Sequence, residues 1–308
     1  MQIVERVVEE IRAMFPDWER TVPPQIWPLI EQTARETPLP ELEGFLERYL
    51  SAGKEWGFHP YAPFARRVLK NVLYIITEQV LSGVGNLERS LDLVRGGTAS
   101  RLILLTNHLS YADANLLATM FHPMLEAKGF GNDFSVVVGP KVYNERFKAF
   151  ASLQFNSLLI AQSLSVASGD AALPLKEIAR AAKKVMADIE QKVRILLIFP
   201  EGARSRTGDL NRFLPGVLKL IEAAGDSTVV LPAAILGGNQ ILPINDHSLH
   251  AARVEVTIGE PVMLRDLHTR FGSGEQAKID IMDDLGRRVA LCLPPARRGF
   301  YAQGDHEQ

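Results

Sequence analysis

Two short apolar runs, each followed directly by a polar stretch, constrain the fold of this chain more than any other feature. Leu102–Leu105 precedes the polar residues 106–113, and Val193–Phe199 precedes residues 200–208. Apolar runs of this length with polar flanks are typical of buried strands. The segment after Ser110 has a helical pattern, so the first polar stretch lies on a strand-to-helix turn. Open α/β sheets bind ligands at the carboxyl ends of their strands, which makes both stretches candidates for a functional site.

The first polar stretch contains His108 and Asp113. If Ser110 is the N-cap of the helix, Asp113 is the third helical residue, and its carboxylate can turn back toward the loop that holds His108. A carboxylate on one ring nitrogen fixes the histidine tautomer and leaves the other nitrogen free as a general base. The alternative is that Ser110 and Asp113 form only a capping box and that His108 is an ordinary loop histidine.

The second polar stretch offers two cations. Arg204 and Arg206 lie two residues apart between Gly202 and Gly208, in a loop that follows a predicted strand. Guanidinium groups present several N–H donors in a fixed plane, which matches the geometry of a phosphate group. The pattern therefore predicts an anion site beside the second strand.

Together, the motifs Asn107-His108-x4-Asp113 and Phe199-Pro-Glu-Gly-x-Arg-Ser-Arg206 resemble those of the glycerolipid acyltransferase family. That family includes glycerol-3-phosphate and lysophosphatidate acyltransferases. Either motif alone is a weak pattern, but the pair in this order and separation is specific. The helical pattern before the motifs resembles the soluble plastid-type glycerol-3-phosphate enzymes in particular.

The resemblance implies acyl transfer without a covalent enzyme intermediate. His108 would deprotonate the acceptor hydroxyl, and Asp113 would orient and stabilise the imidazole. The hydroxyl would attack the thioester of an acyl-CoA or of an acyl-carrier protein, which is a substrate, so no cofactor is implied. Arg204 and Arg206 would hold the phosphate of the acceptor. Further substrate-binding residues implied by the family are Asn107, Glu201, Gly202, Lys141, Arg146 and Pro232, with a surface role as the alternative for Lys141.

The expected acceptor is glycerol 3-phosphate, in phospholipid biosynthesis. Lysophosphatidate or another lysophospholipid at a membrane surface is the close alternative, and a catalytically idle relative that binds lipid or acyl carriers is the remaining one. One position departs from the family: many relatives have an arginine that contacts the acceptor phosphate where this chain has Gln162. Either Lys141, Arg146 or Lys176 restores the charge, or the acceptor carries no phosphate.

Composition excludes other classes of function. Lys and Arg number 34 against 36 for Asp and Glu, a balance that gives no basic field for nucleic acid. The single cysteine, Cys292, excludes an internal disulfide and a cysteine metal cluster, and it fits a reducing compartment. His247 and His250 have no carboxylate or cysteine pattern beside them, so we expect no metal site.

Neither a signal peptide nor a transmembrane span is expected, because no stretch reaches about 18 apolar residues and the best candidate, 68–81, is interrupted by polar residues. A cytoplasmic location follows as an expectation, with peripheral contact to the inner face of the membrane left open. Arg66, Arg67 and Lys70 lie beside the apolar side of a predicted helix and could rest on anionic lipid. A solvated basic face on a packed bundle is the alternative.

The predicted fold class is α/β, a mixed and mostly parallel sheet flanked by helices and preceded by a small N-terminal helical bundle. Residues 1–82 are predicted as the bundle domain and 83–308 as the acyltransferase domain. Pro232 falls inside a strand pattern and suits only an edge or a bulge. Predicted helices cover residues 3–15, 25–36, 41–56, 64–81, 86–94, 174–189, 217–224 and 276–291, and further strands cover 133–138, 157–161, 229–236 and 253–258.

Overall fold

The structure, a computed structural model, describes residues 2–15, 22–161, 175–243 and 249–302. Gln162 and His247 lie outside these residues. The α-helices are Gln2–Met14, Ile26–Glu36, Leu39–Ser51, Pro63–Ile76, Val84–Arg95, Asp113–Ala127, Arg146–Ser152, Leu175–Lys192, Leu218–Glu222, Gly238–Ile241, Leu264–Phe271 and Glu275–Leu291. The strands are β1 (Gly57–His59), β2 (Thr77–Ser82), β3 (Leu102–Leu105), β4 (Phe134–Val138), β5 (Asn156–Leu159), β6 (Ile195–Ile198), β7 (Val229–Leu236), β8 (Ala252–Ile258) and β9 (Val262–Met263).

The chain forms two compact units that alternate along the sequence. The first unit comprises Met1–Ile76, Ser135–Lys192 and Ser248–His250. The second comprises Thr77–Phe134, Val193–His247 and Ala251–Gln308. The predicted division of the chain into domains at residue 82 stays a prediction.

In the first unit, amphipathic helices bury their apolar sides around an aromatic core. The rings of Phe45 and Phe64 lie 5.0 Å apart, and those of Phe45 and Phe150 lie 5.8 Å apart, both edge to face. Such pairs stabilise a core beyond the area that they bury. Strand β5 pairs with β4 in parallel and with β1 in antiparallel orientation. The carboxylate of Asp188 accepts the N–H of Phe58, which ties β1 to the helix Leu175–Lys192.

The second unit is built on the parallel strands β6, β3 and β7, in that order. All four residues of β3 are buried, as an uninterrupted aliphatic run predicts for a strand with neighbours on both sides. Strand β8 pairs antiparallel with β7 and parallel with β2. The helices Val84–Arg95 and Glu275–Leu291 pack on β7. The predicted fold class, a mixed and mostly parallel sheet with helices, is confirmed.

Strand β7 contains Pro232 where the ladder beside it is broken. Strand β9 pairs with Val229 and Val230, whereas β8 pairs with β7 from Ala233 onward. The turn between β8 and β9 faces Pro232, whose carbonyl accepts the N–H of Gly259 at 2.8 Å. A proline has no N–H to donate, so it is tolerated where no ladder bond is required. Strand β7 lies between β3 and β8, so the expected edge setting is wrong, and the break in the ladder accommodates the proline instead.

The helix predicted over residues 64–81 is wrong at its carboxyl end. The helix ends at Ile76, and Thr77–Ser82 form β2, which pairs with β8 along its whole length. The partner strand lies about 175 residues away in the sequence, Glu78 facing Arg253, so the local pattern carries no sign of it. Tertiary pairing outweighs local helical preference at such positions.

Two of the three basic residues of the helix Pro63–Ile76, Arg66 and Arg67, have partners within the first unit. Arg67 donates to Glu41 at 2.7 Å and to the Thr37 hydroxyl at 2.8 Å. The guanidinium of Arg66 lies 3.4 Å from the centre of the Tyr61 ring. These contacts favour the packed-bundle interpretation of this basic face. Within the described residues, no helix is both long and apolar enough to cross a membrane.

Candidate active site

The first motif occupies the loop between β3 and the helix that starts at Asp113. The N-cap of the helix is Ala112, two residues after Ser110, which the sequence offered as the cap. The Ser110 hydroxyl accepts the N–H of Ala112 at 3.0 Å within the loop. A capping box alone does not describe the motif, because the Asp113 carboxylate also contacts the ring of His108. The carboxylate of Asp113 does turn back toward the loop, as predicted, but from the first helical position.

Asp113 binds the imidazole of His108 and the loop main chain through one oxygen. Its Oδ2 lies 2.9 Å from Nδ1 of His108 and accepts the N–H groups of Leu109 at 2.6 Å and Ser110 at 2.8 Å. The Asp113 side chain is fully buried, whereas 18% of the His108 side chain is exposed. A carboxylate in this position selects the tautomer with the proton on Nδ1.

The second ring nitrogen of His108 is open. Nε2 has no hydrogen-bond partner in the part of the chain that the structure describes. One face of the ring stacks on Phe199, with centroids 4.1 Å apart and planes inclined by 20°. The imidazole is thus held by a carboxylate on one edge and by an aromatic ring on one face, and its free nitrogen can accept a proton.

The main chain of His108 is fixed by the second motif. Its N–H donates to Oε1 of Glu201 at 2.7 Å, and its carbonyl accepts the N–H of Ser205 at 2.7 Å. The other oxygen of Glu201 accepts the N–H and the side-chain amide of Asn211 at 2.9 and 2.7 Å. Burial raises the pKa of the Glu201 carboxyl, an effect that the hydrogen bonds from Asn211 and His108 offset only in part. Glu201 therefore joins the two motif loops.

Asn107 joins the first motif to β7. Its Oδ1 accepts the N–H of Ile235 at 2.8 Å, and its Nδ2 donates to the carbonyl of Ile235 at 2.9 Å. The side chain is almost completely buried, so it continues the pairing of β3 with β7 beyond the last residue of β3. This bidentate contact occupies the amide that the family resemblance assigned to substrate.

The two arginines of the second motif differ in their surroundings. The guanidinium of Arg204 lies 3.8 Å from the centre of the Tyr111 ring, and the side chain is half-buried. Arg206 is exposed and forms neither a hydrogen bond nor an ion pair with any residue in the described ranges. Gly202 has a φ of 71°, a left-handed conformation that favours glycine, and a Cβ atom there would lie 2.4 Å from the end of the Leu214 side chain.

The structure brings most of the predicted site residues together in the second unit, but not all of them. Lys141, in the 3-10 helix Pro140–Asn144, and Arg146 belong to the first unit. Arg146 donates to the hydroxyl of Tyr49 at 3.2 Å and forms an ion pair with Glu10. Substrate contacts of Lys141 and Arg146, like that of Pro232 in β7, stay predictions.

Three residues of the site have contacts that the sequence did not reveal. Tyr111 and Phe199 lie within the motifs, where their proximity to charged groups was the available signal. Asn211 lies beyond the second motif, and no spacing rule connects it with Glu201. The described residues contain no group of three or more side chains suited to hold a metal ion.

A protein-family model covers both motifs. Residues 83–236 match the model of the family described as Acyltransferase. No curated protein matches the chain significantly. One similar solved structure is the crystal structure of the 1-acyl-sn-glycerophosphate (LPA) acyltransferase, PlsC, from Thermotoga maritima, which is 17% identical, with 85% of each chain covered and a TM-score of 0.46.

Proposed function

Because this chain belongs to the acyltransferase family, we propose that it transfers an acyl group from a thioester donor to the free hydroxyl of a phosphorylated glycerol acceptor. The observation that carries the proposal is the contact of His108 Nδ1 with the buried Asp113 carboxylate at 2.9 Å, with Nε2 left open. A base held in this way is suited to deprotonate a hydroxyl at neutral pH.

The reaction needs no covalent intermediate on the protein. Nε2 of His108 takes the proton from the acceptor hydroxyl as its oxygen attacks the thioester carbonyl. The carbon–sulfur bond breaks, and the imidazolium returns the proton to the leaving thiolate. Asp113 stabilises the imidazolium while it exists, and this electrostatic effect is strengthened because the carboxylate is buried.

Arg204 and Arg206 are the proposed anion site. The face of the Arg204 guanidinium is occupied by Tyr111, but its N–H donors point along the plane of the group and stay available to a phosphate. This arrangement supports a phosphorylated acceptor even though Gln162 replaces a family arginine. The candidate acceptors are lysophosphatidate, the acceptor named for the Thermotoga maritima protein, and glycerol 3-phosphate, the acceptor first expected from the sequence.

Thiol release separates the alternatives. The purified protein is incubated with an acyl-CoA or an acyl-carrier protein and a colorimetric thiol reagent, together with glycerol 3-phosphate, with lysophosphatidate or with no acceptor. We expect release that depends on one of the acceptors and on His108. Release without acceptor would indicate a thioester hydrolase. No release under any of these conditions would indicate a relative that binds lipid or acyl carriers without catalysis.

A lysophosphatidate acceptor would extend the proposal to the membrane. Lysophosphatidate resides in bilayers, so its use would require contact between the protein and the cytoplasmic face of a membrane. Flotation of the protein with anionic vesicles, with and without lysophosphatidate, tests that part of the proposal. Recovery of the protein only from the vesicle-free fraction under both conditions would contradict it.

A further inference from the structure

Gly238 lies against the one oxygen of the Asp113 carboxylate that the loop does not use. Oδ1 of Asp113 is buried and has no hydrogen-bond partner among the residues that the structure covers. A Cβ atom at position 238 would lie 2.3 Å from Oδ1 and 3.5 Å from Cγ of Asp113. The first distance is far inside van der Waals contact, so any side chain at position 238 requires the carboxylate or the main chain to move.

The need for glycine at this position comes from the contact and not from the backbone. The preceding residue, Gly237, has a φ of 83°, in the left-handed region, but Gly238 has no positive φ. An L-amino acid could therefore adopt the main-chain conformation of residue 238 without strain. Replacing Gly238 by alanine therefore tests the steric contact with Asp113 without adding strain to the main chain.

The segment that carries Gly238 contacts the first motif at three points. Ile235 binds the side chain of Asn107, and the carbonyl of Leu242 accepts the hydroxyl of Ser110 at 3.3 Å. Gly238 lies between these two points and touches Asp113. The segment continues past residue 236, where the match to the family model ends. The segment therefore packs against the loop that carries His108.

We propose that Gly238 is a positioning residue for the His108–Asp113 pair. The absence of a side chain lets Oδ1 rest against the main chain with no donor, so all hydrogen bonds to the carboxylate converge on Oδ2. A donor at Oδ1 would draw charge away from the oxygen that binds His108. Two ionisable side chains contact His108: Asp113 at Nδ1 of the ring and Glu201 at the main-chain N–H. Gly238 affects the position of the Asp113 carboxylate.

The test is Gly238→Ala, with Gly85→Ala as the matched control. Gly85 belongs to the same unit and has no positive φ, and a Cβ atom added there would have nothing within 4 Å. We expect Gly238→Ala to lower kcat by about 10²-fold, the typical effect of a misplacement of about 1 Å, with little change in either KM. Gly85→Ala should retain the parent kcat. Parent turnover in folded Gly238→Ala protein would overturn the proposal.

A double-mutant cycle identifies Asp113 as the group through which Gly238 acts. In an Asp113→Ala background the atom that a new Cβ would strike is gone, so adding Gly238→Ala should have little further effect on kcat. Equal losses in the two backgrounds would contradict the proposal. If Gly238→Ala does not fold, thermal unfolding of the Asp113→Ala protein with and without the second change makes the same comparison: unfolding of the double variant as well would contradict it.

Nuclear magnetic resonance of ¹⁵N-histidine-labelled protein gives a readout that does not depend on activity. The Nδ1–H proton of His108, bound to a carboxylate, should resonate far downfield in the parent protein and in Gly85→Ala. We expect this resonance to move or to disappear by exchange in Gly238→Ala. An unchanged resonance would overturn the positioning role. Because this measurement needs no substrate, it remains decisive even if the proposed acyl transfer is not observed.

Discussion

At the residue scale, Oδ2 of Asp113 connects the chemistry of the site to its architecture. The same atom accepts hydrogen bonds from the His108 ring and from the main chain of Leu109 and Ser110. The same carboxylate oxygen therefore fixes the position of both the ring and the loop. Loss of the carboxylate charge should affect catalysis more than loop shape, since an amide oxygen in the same place is still an acceptor for the N–H groups of the loop.

Removal of the base should abolish most turnover. We expect His108→Ala to lower kcat by at least ~10²-fold, because a positioned general base typically contributes that much or more. Asp113→Asn should cost a comparable factor, since a neutral amide does not stabilise the imidazolium. Thiol-release kinetics measure both effects, and circular dichroism verifies that the variants are folded. Near-parent turnover in folded His108→Ala would remove this residue from the mechanism.

Binding of the acceptor phosphate should depend on Arg204 more than on Arg206, because Tyr111 holds the Arg204 guanidinium in place. We expect Arg204→Ala to raise the KM for the acceptor by about 30-fold or more, and Arg206→Ala to raise it less. Tyr111→Leu should raise this KM about two- to fivefold through loss of the cation–π contact, whereas Tyr111→Phe should not. Steady-state kinetics with each substrate varied gives the values. A rise in donor KM instead would assign the pair to a phosphate of CoA or of the carrier.

At the element scale, the site is assembled from the ends of three adjacent strands. The strands β6, β3 and β7 run parallel, so the loops that follow them emerge on the same edge. Glu201 and Ser205 follow β6 and hold the main chain of His108, while Ile235 in β7 holds Asn107. The loop after β3 is thus fixed on one side by the loop after β6 and on the other side by the end of strand β7.

Glu201 should act through the loops and not through the substrate. In Glu201→Gln an amide N–H₂ faces donors of either His108 or Asn211, and a buried group left unsatisfied typically costs about 1–3 kcal/mol of unfolding free energy. We expect urea unfolding at lower denaturant concentration and a fall in kcat with both KM values retained. Glu260→Gln, at an exposed ion pair with Arg89, is the control and should change neither quantity. A change confined to the acceptor KM would show that Glu201 binds substrate directly.

At the scale of the molecule, residues 297–301 bind the loop that carries Asn211. The N–H groups of Leu210 and Phe300 bond to the carbonyls of Arg297 and Leu210, and the Tyr301 hydroxyl accepts the N–H of Phe213 at 2.9 Å. Burial raises the pKa of Tyr301 to about 12, so this hydroxyl stays protonated across the physiological range. The loop that carries Asn211 is held by these contacts.

Cys292 reports on the integrity of this unit. Burial raises the pKa of its thiol from 9.0 to about 11, which lowers the thiolate fraction near pH 8 by roughly 10²-fold relative to an unperturbed thiol. We expect slow reaction of the native protein with a colorimetric thiol reagent and fast, stoichiometric reaction in urea. Cys292→Ala should give no colour in either state. Fast labelling of the native protein would show that the segment around Cys292 opens readily.

Several features of this protein depend only on neighbouring residues and could be predicted before the fold was known. The bounds of β7 agree with the predicted 229–236, and the loop position and contact of His108 and Asp113 follow from one short motif. Aliphatic runs and motif spacing are local signals that can be recognised without knowledge of the rest of the fold. The bidentate hydrogen bond of Asn107 and the bridging role of Glu201 lie within the same motifs, but their partners do not.

Other features depend on residues that are distant in the sequence and become neighbours only in the folded chain. Thr77–Ser82 is a strand because β8 offers it an edge, and Arg146 pairs with Glu10 and Tyr49 because three segments meet in the first unit. Gly238 faces the Asp113 carboxylate only because the segment after β7 runs behind it. Contacts between residues about a hundred or more positions apart leave no periodicity in the sequence. Hydrogen bonding and close packing could therefore assign these roles only after the chain had folded.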